Sequence, residues 1–306
     1  MSSSRDLLLF IVLAALWGSA FMAINAGLEY FPPVLFAAFR YDVAAVVMLG
    51  YAALVVEDPI PRTRGEWTLV AIGGLLLIAA YHVFLFVGES DPHVTSAVAA
   101  VLVSLSPVLT TVFARGFLPS ERLTAIGTVG LIVGLVGVAV LTRPDPGNLL
   151  GDGTVPKLLV FLAAAAFALG TVLTRTVDAE LEIETMEAWS MAIGAAVMHL
   201  VSVGLDESIG EVVWSLEAVL ALGYLSIGAS AIGFLVFFDL LERLGPIEIN
   251  LVSYVAPVFA ALSGWVFLSE AITPATIVGF LFIFAGFLLV KRDAIRAEVA
   301  RQRSTR

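Results

Sequence analysis

The sequence predicts an all-α integral membrane protein of ten transmembrane helices arranged as two inverted five-helix repeats. Three observations carry this expectation. Hydrophobic residues make up 60% of the 306 positions and charged residues only 14%, outside the range of soluble domains. Most of the apolar residues fall in runs of about 20, the length at which a helix crosses about 30 Å of hydrocarbon. Finally, the stretch 107–141 returns at 257–290. Pro107 falls on Pro257, Val108 on Val258, Leu118 on Leu268, Glu121 on Glu270, Gly130 on Gly279 and Gly137 on Gly286, with one residue deleted in the turn. An apolar span, a turn carrying a glutamate and a Gly-punctuated span thus occur twice, as a duplicated design requires.

In chain order, a short polar start leads into the first span, 7–28, which is too long for a signal-peptide core. It carries Trp17-Gly18-Ser19 and Asn25. Pro32-Pro33 breaks the chain before span two, 34–56, which holds Arg40, Tyr41 and Asp42. The polar segment 57–66 is a loop. Span three, 67–88, contains Tyr81-His82; residues 89–93 turn the chain into span four, 94–114, and span five is 123–142. The turn-rich segment RPDPGNLLGDG, 143–153, reads as the link between halves. Spans six to ten follow at 155–174, 186–205, 214–241, 246–268 and 274–290. The expected divisions are a first repeat 1–142, an extracytoplasmic linker 143–154, a second repeat 155–291 and a basic cytoplasmic tail 292–306.

Basic residues orient the spans. With the N-terminus inside, Arg5, Arg62, Arg64, Arg115, Arg122, Arg175, Arg243 and the basic residues from Lys291 onward fall on the cytoplasmic side, against only Arg143 and Lys157 outside. Both termini are therefore expected in the cytoplasm of a multi-pass cell-membrane protein. Five spans per half is an odd number, so the second half enters the bilayer upside down. Inverted repeats are typical of secondary transporters, which bind substrate near the midplane where the halves meet.

The duplicated ten-span plan, Trp17-Gly18-Ser19, Phe39-Arg40 and the two Pro…Glu…Gly…Gly cassettes resemble the EamA-type branch of the drug/metabolite transporter superfamily over essentially the whole chain. The resemblance implies a central cavity lined by both halves and alternating access for small metabolites such as amino acids or sugars. One departure is that Leu169-Gly170-Thr171 stands where the first half has Trp17-Gly18-Ser19, which argues against equal contributions from the two halves.

The candidate substrate-binding residues are Arg40, Tyr81, His82, Ser104, Asn250, Ser253 and Tyr254, with Pro107 and Pro257 as helix kinks. Asn250, Ser253, Tyr254 and Pro257 share one helical face, and Ala100, Ser104 and Pro107 match it in span four. A mid-span proline frees a carbonyl one turn earlier, to be satisfied by neighbours or by cavity water. The alternative for this face is polar packing between helices. Arg40 lies about 9 Å in from the outer edge at about 1.5 Å per residue. It either snorkels to headgroups or faces inward to an anionic group, on the substrate or on another span. His82 and His199 read first as hydrogen-bonded packing residues and second as proton-coupling groups. Glu121 and Glu270 read as helix-start carboxylates ahead of spans five and ten.

Several classes are excluded or disfavoured. The chain has no cysteine, and its net charge of −10 does not suit nucleic acid. No phosphate-binding G-x-x-x-x-G-K-S/T loop is present, which argues against ATP-driven pumping by this chain. Neither a cofactor nor a metal is expected, and the coupling ion of a transporter is left as proton or sodium. The rival reading is an intramembrane enzyme such as an aspartyl protease, using Asp42 and Asp152.

Overall fold

Seven long apolar helices and three shorter ones pack side by side among the described residues. The computed structural model describes residues 4–117, 125–142, 153–244, 249, 251–290 and 292, and among them all regular structure is helical. We label the helices α1 (Ser4–Gly27), α2 (Pro33–Val55), α3 (Arg64–Glu89), α4 (Ser96–Phe117), α5 (Ala125–Thr142), α6 (Thr154–Thr174), α7 (Ile183–Gly204), α8 (Leu216–Leu241, helical on to Leu244), α9 (Val252–Leu268) and α10 (Pro274–Val290). Seven of these are long and apolar enough to cross a membrane; α5, α9 and α10 are apolar and shorter. Large apolar side chains such as Val46, Leu54, Leu200 and Phe267 stay exposed on the outside of the bundle. That is costly in water and neutral against lipid tails.

Helix ends are satisfied both locally and from far away. Thr63 and Glu66 form a capping box at the start of α3, and Ser215 caps α8 through the Ala218 N–H. The start of α2 follows Pro32-Pro33 and has no local cap. Instead Glu207, in the loop after α7, accepts from the Val34 and Leu35 N–H groups at 3.0 and 2.8 Å. Glu270 similarly accepts from the Ser96 N–H at the start of α4. This corrects the expectation that Glu270 serves α10. The carboxylate does sit at a helix N-terminus, but at that of a helix 174 residues away in sequence, and Thr273 caps α10 instead.

Two helices widen into π-helical stretches at matching places, Gly73–Ala80 in α3 and Tyr224–Ile232 in α8. In α4 the helix is interrupted at Ser104-Leu105 and resumes at Ser106 with Pro107 in its first turn. The Val103 carbonyl, which a residue other than proline at 107 would bond, accepts from the Ser106 hydroxyl at 2.7 Å. Pro257 lies inside α9.

The packing pairs α1 with α9 and α4 with α6, α2 with α7, and α5 with α10; the π-helical stretch of α3 lies on α7 and that of α8 on α2. The α5–α10 contact is backbone on backbone. A Cβ on Gly130 would lie 2.6 Å from the Gly286 carbonyl oxygen, and one on Gly137 would lie 2.7 Å from that of Gly279. Only glycine permits so close an approach at these positions.

Candidate functional site

The buried polar side chains of α2, α3 and α8 meet inside this bundle. Arg40, only 6% exposed, donates from Nε to the Ser230 hydroxyl at 3.1 Å. Its guanidinium also lies over the neighbouring Tyr41 ring, 5.2 Å from the centroid, a cation–π distance. Ser230 belongs to the π-helical stretch of α8, so the widened turn is what holds the arginine partner. Such π segments recur at functional positions. Among the described residues no carboxylate lies within ion-pair distance of Arg40, and its two Nη groups make no hydrogen bond. The guanidinium is therefore a buried charge whose planar fork is unmatched by any described residue. Snorkelling to headgroups does not describe a side chain so buried.

Tyr81 and His82 follow the π-helical stretch of α3 directly. Ile78 offers only a carbonyl oxygen to His82, at 2.7 Å from Nδ1, so Nδ1 carries the proton. Nε2 then accepts from the Tyr41 hydroxyl at 2.9 Å. Both ring nitrogens of His82 are thereby occupied in a buried relay that fixes Tyr41 under Arg40. Tyr81 is half-buried between His82 and Phe167, and its hydroxyl makes no hydrogen bond among the described residues. The charge of Arg40 acts on Tyr41, Tyr81, His82, Tyr224 and Glu89. Arg40, Tyr81 and His82 are thus brought together, with Tyr41 and Ser230 as members that residue-by-residue reading passes over.

The remaining candidates lie apart from this group or outside what is described. The buried Ser104 turns its hydroxyl to its own helix, donating to the Val101 carbonyl at 2.7 Å. Tyr254 packs on Phe284 and Phe287 of α10, with its hydroxyl buried and without a hydrogen-bond partner among the described residues. Ser253 is half-buried beside it, and Asn250 lies outside the described residues. His199, the second histidine of the spans, bonds Asp42 at 2.8 Å in a partly exposed pair flanked by Phe39. The rival protease reading needs Asp42 paired with a second aspartate. Asp42 is engaged by His199, and Asp152 lies outside the described residues.

The motif Trp17-Gly18-Ser19 ties α1 to both α8 and α9. The Trp17 indole donates to the Ala229 carbonyl of the π-helical stretch at 3.0 Å. Ser19 and Tyr224 share a hydrogen bond of 2.6 Å, and Gly18 seats against the Ala256–Ala260 backbone of α9. In the second half, Gly170 rests on Leu76 and Leu77 of α3, and the Thr171 hydroxyl bonds its own helix. The two halves use this position differently.

Apolar helices of spanning length around a buried, hydrogen-bonded polar centre define a multi-pass α-helical membrane protein. Comparison with known proteins gives the family. The EamA-like transporter family matches twice, over residues 5–143 and 156–292. The chain belongs to that family. It is similar to the uncharacterized transporter YvbV of Bacillus subtilis, 26% identical over 95% of this chain and 92% of that one. The uncharacterized inner membrane transporter YedA of Escherichia coli is 30% identical over 81% of this chain and 78% of its own length. A solved crystal structure superposes with a TM-score of 0.64 at 26% identity, covering 97% of this chain and all of the other.

Proposed function

We propose that this chain is a secondary transporter that moves a small carboxylate-bearing metabolite by alternating access between two inverted five-helix repeats, 1–142 and 155–291. The observation that carries the substrate chemistry is Arg40. Burying a guanidinium without a counter-charge is costly. A site that leaves the Nη fork open at the meeting of α2, α3 and α8 is completed by a bidentate carboxylate. Tyr81, packed on His82 of the same polar group, supplies a hydroxyl to take a second polar group. Tyr41, His82 and Ser230 hold the arginine in place. Ser104, Ser253, Tyr254 and Asn250 belong to the path between the halves, with Pro107 and Pro257 as the points where α4 and α9 flex.

Two observations support the duplication and its inversion. The family matches twice in tandem. The glycine contacts pair Gly130 with Gly286 and Gly137 with Gly279, so α5 and α10 run antiparallel and their cassettes exchange partners. A two-fold axis between antiparallel equivalent helices lies across the helices, in the membrane plane; an axis along the membrane normal would leave them parallel. With both termini in the cytoplasm of a cell-membrane protein, the link 143–154 is extracytoplasmic.

Ligand-induced thermal stabilisation tests the substrate reading, since a specific ligand raises apparent stability. A panel of amino acids, hydroxy acids, sugar acids and neutral sugars is applied to purified wild type and Arg40→Lys. One or more carboxylates should stabilise the wild type, and their amides should not. Lysine keeps the charge and loses the fork, so the shift should shrink in the variant. Stabilisation by neutral sugars alone, equal in both proteins, would refute the reading.

A further inference from the structure

At the end of α3 opposite its capping box, a second carboxyl is buried, and neither the fold nor the Arg40 site accounts for it. Glu89 is 2% exposed. One of its oxygens, Oε2, accepts from the Asn25 amide of α1 at 2.9 Å. The other, Oε1, is buried and has no hydrogen-bond partner among the described residues. Asn25 Nδ2 also donates to the Ser96 hydroxyl at 3.3 Å, and that hydroxyl donates to Glu270 Oε1 at 2.9 Å. Two carboxyls are thus linked through an amide and a hydroxyl where α1, α3, α4 and the α9–α10 turn meet.

The two carboxyls are not equivalent. Glu270 takes three hydrogen bonds from Ser96, two of them from the backbone N–H at the start of α4. The helix terminus supports negative charge there. Glu89 takes a single amide hydrogen bond and faces the charge of Glu270. A buried carboxyl beside a second, partly buried one does not ionise readily, and a proton on Oε1 removes both the charge and the bare acceptor.

The surroundings point to a proton rather than a metal ion. The charged groups acting on Glu89 are Glu270 from the α9–α10 turn and Arg40 from α2, and Tyr81 is coupled to it along α3. From α1 and α4 come only the neutral Asn25 and Ser96. The start of α6 packs on Gly88, and its Lys157 acts on Asp91. Asn25 points N–H at the carboxyl, an orientation that opposes a cation, and among the described residues no group of three or more His, Cys, Asp or Glu could hold a metal.

We propose that Glu89 is a proton-binding site, loaded from the aqueous phase when the surrounding helix ends part and buried when they close. Resting on the transporter reading above, this makes Glu89 the site of the coupling proton. In the step itself a proton from water joins the Glu89 carboxylate at Oε1, and it returns to water when the site reopens on the other side.

Infrared spectroscopy of the purified full chain in lipid nanodiscs reads the proton directly, through the carbonyl band of a protonated carboxylic acid. The difference spectrum of wild type minus Glu89→Gln should show this band at neutral pH. In Glu270→Gln the neighbouring charge is gone, so the band should disappear at a lower pH than in the wild type. Thermal stability gives a second readout. The native state holds a proton that the unfolded chain releases, so wild-type stability should fall as pH rises, and Glu89→Gln should be flatter. A difference spectrum without that band at neutral pH overturns the proposal. So does stabilisation by sodium chloride over choline chloride that is lost in Glu89→Gln, which would make the site a sodium site. In proteoliposomes, a radiolabelled amino- and hydroxy-acid panel should accumulate under a pH gradient with wild type and not with Glu89→Gln; gradient-driven accumulation by the variant overturns the coupling role. The infrared measurement needs no substrate. A Glu89 band in a chain that transports nothing on the panel therefore leaves the proton site standing and rejects the transport reading instead.

Discussion

Gly130 of α5 rests on Gly286 of α10, and a Cβ at either residue would lie 2.6 Å from the other's carbonyl oxygen. In the repeated sequence cassettes Gly130 matches Gly279, not Gly286. The contact is thus made between non-equivalent members of the repeat, and Gly137 with Gly279 supplies its mirror. Such an exchange is what the proposed two-fold axis between the repeats requires.

The first prediction follows from that seam. Gly130→Leu forces the two backbones apart and should cost about 1–3 kcal/mol, as overpacking does. Gly50→Ala is the control, since nothing lies within 4 Å of a Cβ there; in a helix interior it should gain about 0.5–1 kcal/mol. Thermal unfolding of both variants in one detergent reads the contrast. Equal behaviour would mean the seam is not a tight contact.

A second prediction concerns the long-range caps. Glu207 satisfies two N–H groups of α2 from another part of the chain, so Glu207→Ala should lower stability by about 1–2 kcal/mol, the range for a lost cap. Glu207→Gln keeps an acceptor and loses the charge, and should fall between. Melting temperatures that rank the variants otherwise would remove the capping role.

These two cases mark what was legible in the sequence. Spans and repeat were plain because periodic apolar runs and a self-match are local or internal signals. Arg40 stood out as the basic residue deep in a span. Its partner Ser230 did not, being 190 residues away on a π-helical turn that apolar periodicity does not reveal. Glu270 was recognisable as a helix-start carboxylate, but sequence neighbours suggest the next helix and only packing names α4. Glu89 was missed because a carboxylate at the end of an apolar run reads as interfacial. Asn25, near the matching end of α1, was the available hint.

Topology is tested by single cysteines, since the chain has none of its own. Ile209 and Glu57 are both exposed in loops, and the proposed inversion puts them on opposite sides. An impermeant thiol reagent on intact cells should label Ile209→Cys and spare Glu57→Cys. Labelling of Glu57→Cys alone would invert the orientation.

The last prediction separates the two tyrosines that pack on His82. Tyr41 donates to His82, whose other nitrogen is held by Ile78, so its hydroxyl is part of the scaffold beneath Arg40. Tyr41→Phe leaves the buried His82 Nε2 without a donor and should cost about 1–3 kcal/mol of stability, the penalty for an orphaned buried acceptor. Tyr81 packs on His82 and its hydroxyl has no hydrogen bond among the described residues, so Tyr81→Phe should leave the melting temperature of the ligand-free protein within the small range of a neutral substitution. It should instead weaken binding of the stabilising carboxylate by about 0.5–1.5 kcal/mol, the worth of one neutral hydrogen bond, or roughly two- to tenfold in affinity. Measuring unfolding with and without ligand for both variants gives the two effects separately. If Tyr41→Phe changed only affinity and Tyr81→Phe only stability, the roles would be reversed, and the open side of Arg40 would have to be sought over Tyr41 instead.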